Sequence, residues 1–133
     1  MKAYEIQTNL DALQSLAEDI NQWAVRKGFQ SLPQPLEELC KYNQEVGQLV
    51  TQLVKSQKIA LIHSEASELL EGLRKPSASG AETFGFTNEE EEAADILIRL
   101  LNYCGQFNLR IGAATGAKMA KNENRPFKHG KQF

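Results

Sequence analysis

The sequence predicts an all-α fold, and three features predict it. Apolar residues recur every three or four positions through most of the chain, which is the spacing of a buried helical stripe. No stretch alternates apolar and polar residues convincingly with the period of a strand. Proline and glycine clusters interrupt the periodic stretches at only a few places, as short connections between long helices require. A chain of 133 residues is one domain in size, so the expected architecture is a single antiparallel bundle of about four helices. The domain is expected to span residues 1–133, with a basic C-terminal tail over 118–133.

The first helix is predicted by Ile6, Leu10, Leu13, Ala17, Ile20 and Ala24, which form one stripe over about 20 residues, with Gly28 placed to end it. "FQSLPQPLEEL" reads as a connection because Pro33 and Pro35 forbid a continuous helix. A long second helix then starts at residue 36 or 42 and runs to Arg74. It turns Leu49, Leu53, Ile59, Ile62, Ala66, Leu69 and Leu73 toward the core, with Gly47 tolerated inside it. "KPSASGAETFGFTN" is a loop, broken by Pro76, Gly80 and Gly85, and Thr87 or Asn88 can cap the third helix. That helix is expected to bury Ile96, Leu100, Tyr103 and Phe107. A shorter fourth, weakened by Gly112 and Gly116, ends at Pro126.

Composition excludes several classes. A net charge of −2 gives no global attraction to nucleic acid or to a membrane surface. No apolar run approaches a bilayer span, and the N-terminus does not read as a signal peptide. Cys40 and Cys104 form no Cys/His cluster and read as free, buried thiols. A cytoplasmic protein without membrane or nucleic-acid partners is the expectation.

Two short stretches carry the chemistry: "EASE" at 65–68 and "EAAD" at 92–95. On a helical wheel, Glu65 and Glu68 lie beside the apolar stripe of the second helix, with Leu61 and Gly72. Glu92, Asp95 and Arg99 share the matching flank of the third. Packing the two stripes together brings both carboxylate pairs to one groove, where they repel and lose hydration unless protons or cations join them. Oxygen-only ligands on paired helices favour a hard divalent cation, above all Mg²⁺. A solitary ExxE is ordinarily a solvated helix face, and Glu89, Glu90 and Glu91 suit the positive end of a helix dipole. Asp95, well inside the helix, fits neither account.

The tail supplies the opposite charge. Lys118, Asn122 and Arg125 stand at i, i+4 and i+7, with Lys121, Lys128, His129 and Lys131 nearby. Lysine and arginine around an amide make a phosphate-binding face, although a basic helix end also complements its own dipole. Other candidates are weaker. "GAATGAK" does not satisfy a phosphate-loop pattern, and His63 points away from Glu65 and Glu68. Trp23 and Phe29 could stack on a base but read better as core residues, and Arg99 suits pairing with a site carboxylate.

"ALIHSEASELLEGLRK", "EEEAADILIRLLNYCGQ" and "KMAKNENRPFKHGKQF", taken in that order, resemble the MazG-type all-α nucleoside triphosphate pyrophosphohydrolases. Such proteins carry ExxE, a variable spacer, ExxD and a later Lys/Asn/Arg region, and from Glu68 to Glu92 the spacer here is 24 positions. The similarity covers residues 42–131; the first helix matches in pattern only. The resemblance implies Mg²⁺, with Mn²⁺ as a substitute, held by Glu65, Glu68, Glu92 and Asp95 acting as the catalytic set. It implies phosphate binding by Lys118, Lys121, Asn122 and Arg125, and hydrolysis of an NTP or dNTP to monophosphate and pyrophosphate. It also implies a homodimer or homotetramer whose subunits complete one another's bundle. Many members carry a glutamate directly before the ExxE. Ser64 stands there in this chain, so the number of ions and the group that orients the attacking water stay open. A dUTP- or phosphoribosyl-ATP-type pyrophosphohydrolase is the nearest alternative reading. A non-catalytic helical module that binds nucleotide or a partner is the alternative of another class.

Overall fold

The computed structural model describes residues 3–74, 85–123 and 125–126. Five helices make up the described fold: α1 (Ala3–Arg26), α2 (Gln34–Tyr42), α3 (Gln44–Arg74), α4 (Asn88–Gln106) and α5 (Ile111–Glu123). Among the described residues there is no strand, and no helix is long and apolar enough to cross a membrane. The expected loop residues Pro76 and Gly80, and the tail residues Lys128, His129 and Lys131, lie outside the described residues.

The fifth helix is a correction. Pro33 and Pro35 suggest a break, yet Pro35 sits in the first turn of α2, where its missing N–H costs nothing and its fixed φ suits the helix. α2 and α3 are nearly continuous, broken at Asn43, whose backbone is extended. The Asn43 carboxamide accepts from Val46 N at 3.1 Å, starting α3. Gly47 has a reason beyond tolerance: a Cβ there would stand 3.2 Å from the Cys40 carbonyl, so it lets α3 turn closely against α2.

Helix ends are set by local chemistry. At Gly28, φ is 77°, and Phe29 N donates to Ala24 O while Gly28 N donates to Val25 O, both at 3.0 Å. This is the double bond of a left-handed helix stop. α4 ends the same way at Asn108, φ 53°, with Leu109 N donating to Cys104 O at 2.8 Å. α4 begins at Thr87, whose hydroxyl accepts from Glu90 N while the Glu90 carboxylate accepts from Thr87 N at 2.8 Å. Those hydrogen bonds hold the Glu90 carboxyl below its ordinary range.

α3 packs on α4, α4 on α1, and α1 on both α4 and α5, with α2 on α3. The fully buried apolar centre is small: Ala17 and Ala24 of α1 with Leu101 and Cys104 of α4. The α1 stripe lies where its periodicity places it, but the other two are corrected. On α4 the core residues are Leu101 and Cys104, while Leu100 is exposed and Ile96 and Tyr103 half-buried. On α3 only Ile62 and Leu69 of the expected set are half-buried; Leu49, Leu53, Ile59, Ala66 and Leu73 are exposed. The inward line of α3 carries Val46, Val50, Val54, Lys58 and Glu65 instead. Trp23 and Phe29, expected in the core, are exposed and pack on each other, ring centroids 5.6 Å apart. Cys104 is buried and Cys40 half-buried; both are free.

Gly105 fixes how near α1 comes to α4. A Cβ there would run into the Ala17 carbonyl and stand 2.6 Å from Asn21 Cβ. Gly105→Ala gains about 1 kcal/mol of helix propensity but meets an overlap against backbone that cannot rotate away, at about 2–3 kcal/mol the upper part of the usual cost of overpacking. A net loss of about 1–2 kcal/mol in urea unfolding is expected; an unchanged midpoint would mean that α1 and α4 part at no cost.

Candidate functional site

α3 and α4 pass one another with their numbering running in opposite senses. A Cβ on Gly72 would lie 3.8 Å from Asn88 Cβ at one end, Glu65 meets Arg99 midway, and Val54 and Gln106 line one cavity at the other end. Asn88, Glu92, Asp95, Arg99, Asn102 and Gln106 recur every three or four positions, so one line of α4 is polar along its whole length.

Within this seam a carboxylate oxygen from each of Glu65, Glu68 and Glu92 lies within 4.8 Å of the other two. Glu65 is 6% exposed, Glu92 half-buried and Glu68 exposed. The expected fourth member, Asp95, lies outside that group. It is exposed one turn further along α4, and its charge still acts on Glu92. Arg99 Nε donates to Glu65 Oε1, compensating the one charged side chain that is buried among the described residues. Ser64 Oγ donates to Glu68 Oε1 at 3.4 Å, a long contact that leaves most of that carboxylate's acceptor capacity open.

The electrostatics are those of a site short of positive charge. Burial, followed by the negative charges of Glu68, Asp95, Glu65 and Glu91, pushes the Glu92 carboxyl up. Further down the seam, burial and then the Arg99 guanidinium push the Lys58 ammonium below its ordinary range. The donor set fits a hard divalent ion. All three side chains offer carboxylate oxygens, the donor type that Mg²⁺ takes, and they would have to draw closer than 4.8 Å to share one ion.

The basic set is placed differently. Lys118, Lys121 and Asn122 are exposed on α5, which packs on α1, whereas the carboxylates lie between α3 and α4. The helix ends at Glu123, so Arg125 is not on the same helical face; its backbone N donates to Asn122 O at 3.0 Å. His63 is exposed, as expected.

Sequence reasoning missed Lys58, Asn102, Gln106 and Gln30. A second cavity of about 330 Å³ adjoins the carboxylates, lined by Trp23, Phe29, Lys58, Asp95, Arg99 and Asn102 among others. The Gln30 carboxamide donates to Asn21 Oδ1 at 2.5 Å and to Asn102 Oδ1 at 3.0 Å, tying the end of α1 to α4. Continuing the Glu92–Asp95–Arg99 line by one and two further turns would have found Asn102 and Gln106; Gln30 lies in a turn, where no periodicity points to it. In comparisons with known proteins, the chain matches no family model, no curated protein and no solved structure.

A raised carboxyl pKa means that the folded state keeps its proton to higher pH than the unfolded chain does. Stability is therefore lost as pH climbs from the ordinary carboxylate range through the raised value of Glu92, and is regained on acidification. In EDTA at pH 7, Glu92→Gln should melt above the wild type, and the gap should close as pH falls toward about 4.3. A gap that is constant with pH would contradict the charge assignment. Arg99→Ala should lower the melting temperature in EDTA, and millimolar Mg²⁺ should recover most of the loss. A loss that Mg²⁺ leaves untouched would mean that Arg99 acts by packing rather than by charge.

Proposed function

We propose that this chain is a cytoplasmic, Mg²⁺-dependent hydrolase of nucleoside or deoxynucleoside triphosphates, of the MazG-type all-α class, releasing a monophosphate and pyrophosphate. The observation that carries this reading is the three-carboxylate cluster across the α3–α4 seam, one member of it buried and paired with Arg99. Glu65, Glu68 and Glu92 would hold the ion, with Asp95 beside them at the mouth of the adjoining cavity. When bound, Mg²⁺ supplies neutralisation of the triphosphate and acidifies an attacking water. Asp95, exposed and outside the ligand cluster, can orient that water by accepting its hydrogen bond. Arg99, paired with Glu65 and 41% exposed, would be free to turn its guanidinium to phosphate, which it can grip with two parallel bonds, were Glu65 to hold an ion instead. Lys118, Lys121, Asn122 and Arg125 lie on or after α5, away from the α3–α4 seam, so in this reading they contact phosphate only where a second copy of the chain brings them to it.

The active form is a homodimer or homotetramer. Among the described residues many large apolar side chains are exposed, including Leu49 and Leu53 of α3 and Tyr42 of α2. Exposed apolar side chains in this number are what a second copy would cover.

The reaction is tested by separating products from a panel of NTPs and dNTPs, with Mg²⁺ and with EDTA. Monophosphate and pyrophosphate should form only with metal, and Glu68→Gln should lower kcat/KM by about 100-fold or more, the scale of losing an electrostatic contact to the transition state. Diphosphate as product would overturn the assignment of the scissile bond. Binding without turnover would favour the non-catalytic module, and turnover confined to dUTP or to a phosphoribosylated nucleotide would favour the specialised hydrolases. For assembly, Leu53→Glu should reduce the mass measured by light scattering to that of one chain. A wild type that already scatters as a monomer would remove the oligomer from the reading.

A further inference from the structure

The polar line of α4 does not stop at the carboxylates. Below Arg99 it continues through Asn102 to Gln106, and the cleft continues with it. The cavity beside Asp95 and Arg99 shares Phe29, Lys58 and Leu61 with an inner chamber of about 310 Å³. That chamber has apolar walls from Phe29, Val54, Leu61 and Phe107, and its polar groups are nearly all neutral, with Thr51, Gln57 and Gln106 prominent. Among the described residues no carboxylate lines it, and Lys58, at the junction, is its one charged side chain. Gln106 Oε1 is buried there and has no hydrogen-bond partner among the described residues. A buried carbonyl left unpaired is costly, and a rotation of this side chain, which lines the chamber, would offer it to an incoming N–H donor.

Size, apolar faces and a neutral carboxamide together select a flat, uncharged ring with polar edges. We infer that the inner chamber between α3, α4 and the end of α1 is a nucleobase pocket, in which the Gln106 carboxamide pairs with the edge of the base and Phe29 covers its face. The inference rests on the nucleotide reading of the carboxylate site. It adds where the base lies and which residue discriminates among bases. A planar base can slide past Phe29 and Leu61 from the outer cavity, leaving its phosphates beside Arg99 and the acidic cluster. Gln30 forms part of the chamber wall and is held by Asn21 and Asn102, so the wall is set before any ligand enters. A carboxamide offers an acceptor and a donor side by side, the complement of a base edge; a carboxylate of the same shape offers acceptors only.

The test separates base binding from catalysis. Trp23, the one tryptophan of the chain, lines the outer cavity, so its emission reports occupancy of the cleft. The full-length protein in EDTA is titrated with dAMP, dCMP, dGMP, dTMP and, as the baseless probe, 2-deoxyribose 5-phosphate. At least one nucleotide should change the emission saturably, and the sugar phosphate should not. Gln106→Met should weaken the tightest nucleotide by about tenfold or more, the scale of a lost buried hydrogen bond. Gln106→Glu, which keeps the volume and shape of the side chain, should reorder the four nucleotides. Equal responses to nucleotides and sugar phosphate, or an unchanged ranking and affinity in a folded Gln106→Glu, would overturn the pocket. Base-dependent binding in a protein that turns over no triphosphate with Mg²⁺ supports the pocket while removing the hydrolase reading. Turnover at one rate for every base, unaffected by Gln106→Glu, does the reverse.

Discussion

Three carboxylates held within 4.8 Å of one another on two packed helices set the terms for the rest of this molecule. A leucine seam between α3 and α4 would be the more stable construction, since a paired buried charge seldom outperforms apolar side chains of the same volume. The chain instead places Glu65 on the inward line of α3 and answers it with Arg99. Removing one partner of a fully buried pair costs about 3–5 kcal/mol; Arg99 is 41% exposed, so water screens it and the value here is smaller. What remains is a seam whose repulsion is only partly offset by the protein's own groups, and a divalent cation would offset the remainder. Stability must then come from elsewhere, and the close approach of α1 to α4 at Ala17 and Gly105 supplies part of it.

Much of this was legible in the sequence, for identifiable reasons. The stripe of α1 gave the right face because α1 has packed neighbours, α4 and α5, along most of its length. A cap at Thr87 or Asn88 was readable from residue type, and the structure uses Thr87 with Glu90. The carboxylate pairs were readable because acidic residues beside an apolar line are conspicuous. The faces of α3 and α4 were misjudged for a common cause: both helices are apolar on more than one side, so periodicity alone could not say which side meets the rest of the chain. Leu49, Leu53 and Leu100 fit a core stripe as well as the true inward residues do, and they are exposed. Pro35 reads as a breaker although the first turn of a helix accepts proline. Spacing places Asp95 with the cluster as it does Glu68, but Asp95 is exposed and its side chain is one methylene shorter than a glutamate's, and it stays outside the group.

The same ambiguity has a physical meaning. A helix that is apolar on two faces needs two coverings, and in this chain many of those faces have only one. The four buried apolar residues of the described helices are a thin centre for a chain of this length. The exposed leucines of α3 and the acidic seam lie on the same 31-residue helix, so any covering of that outer face also stiffens the segment that carries Glu65 and Glu68. Assembly and site geometry are thereby coupled through one rigid element, with no separate device needed.

α4 gives the most direct link from sequence to chemistry. Its polar line changes character along its length: Glu92 and Asp95 are anionic, Arg99 cationic, Asn102 and Gln106 neutral. A straight helix advances about 1.5 Å per residue, so from Glu92 to Gln106 this gradient extends over about 20 Å, a span that a nucleotide with its phosphates can cover when extended. A ligand aligned with that line would have to be polyanionic where a cation bridges the carboxylates, and uncharged and planar where the carboxamide lies. Few small molecules have that order of parts, and nucleoside triphosphates are the common ones. On the nucleotide reading proposed above, the direction of the gradient would also set the ligand's orientation: phosphates toward the start of α4, base toward its end, with Lys58 and Arg99 at the boundary between them.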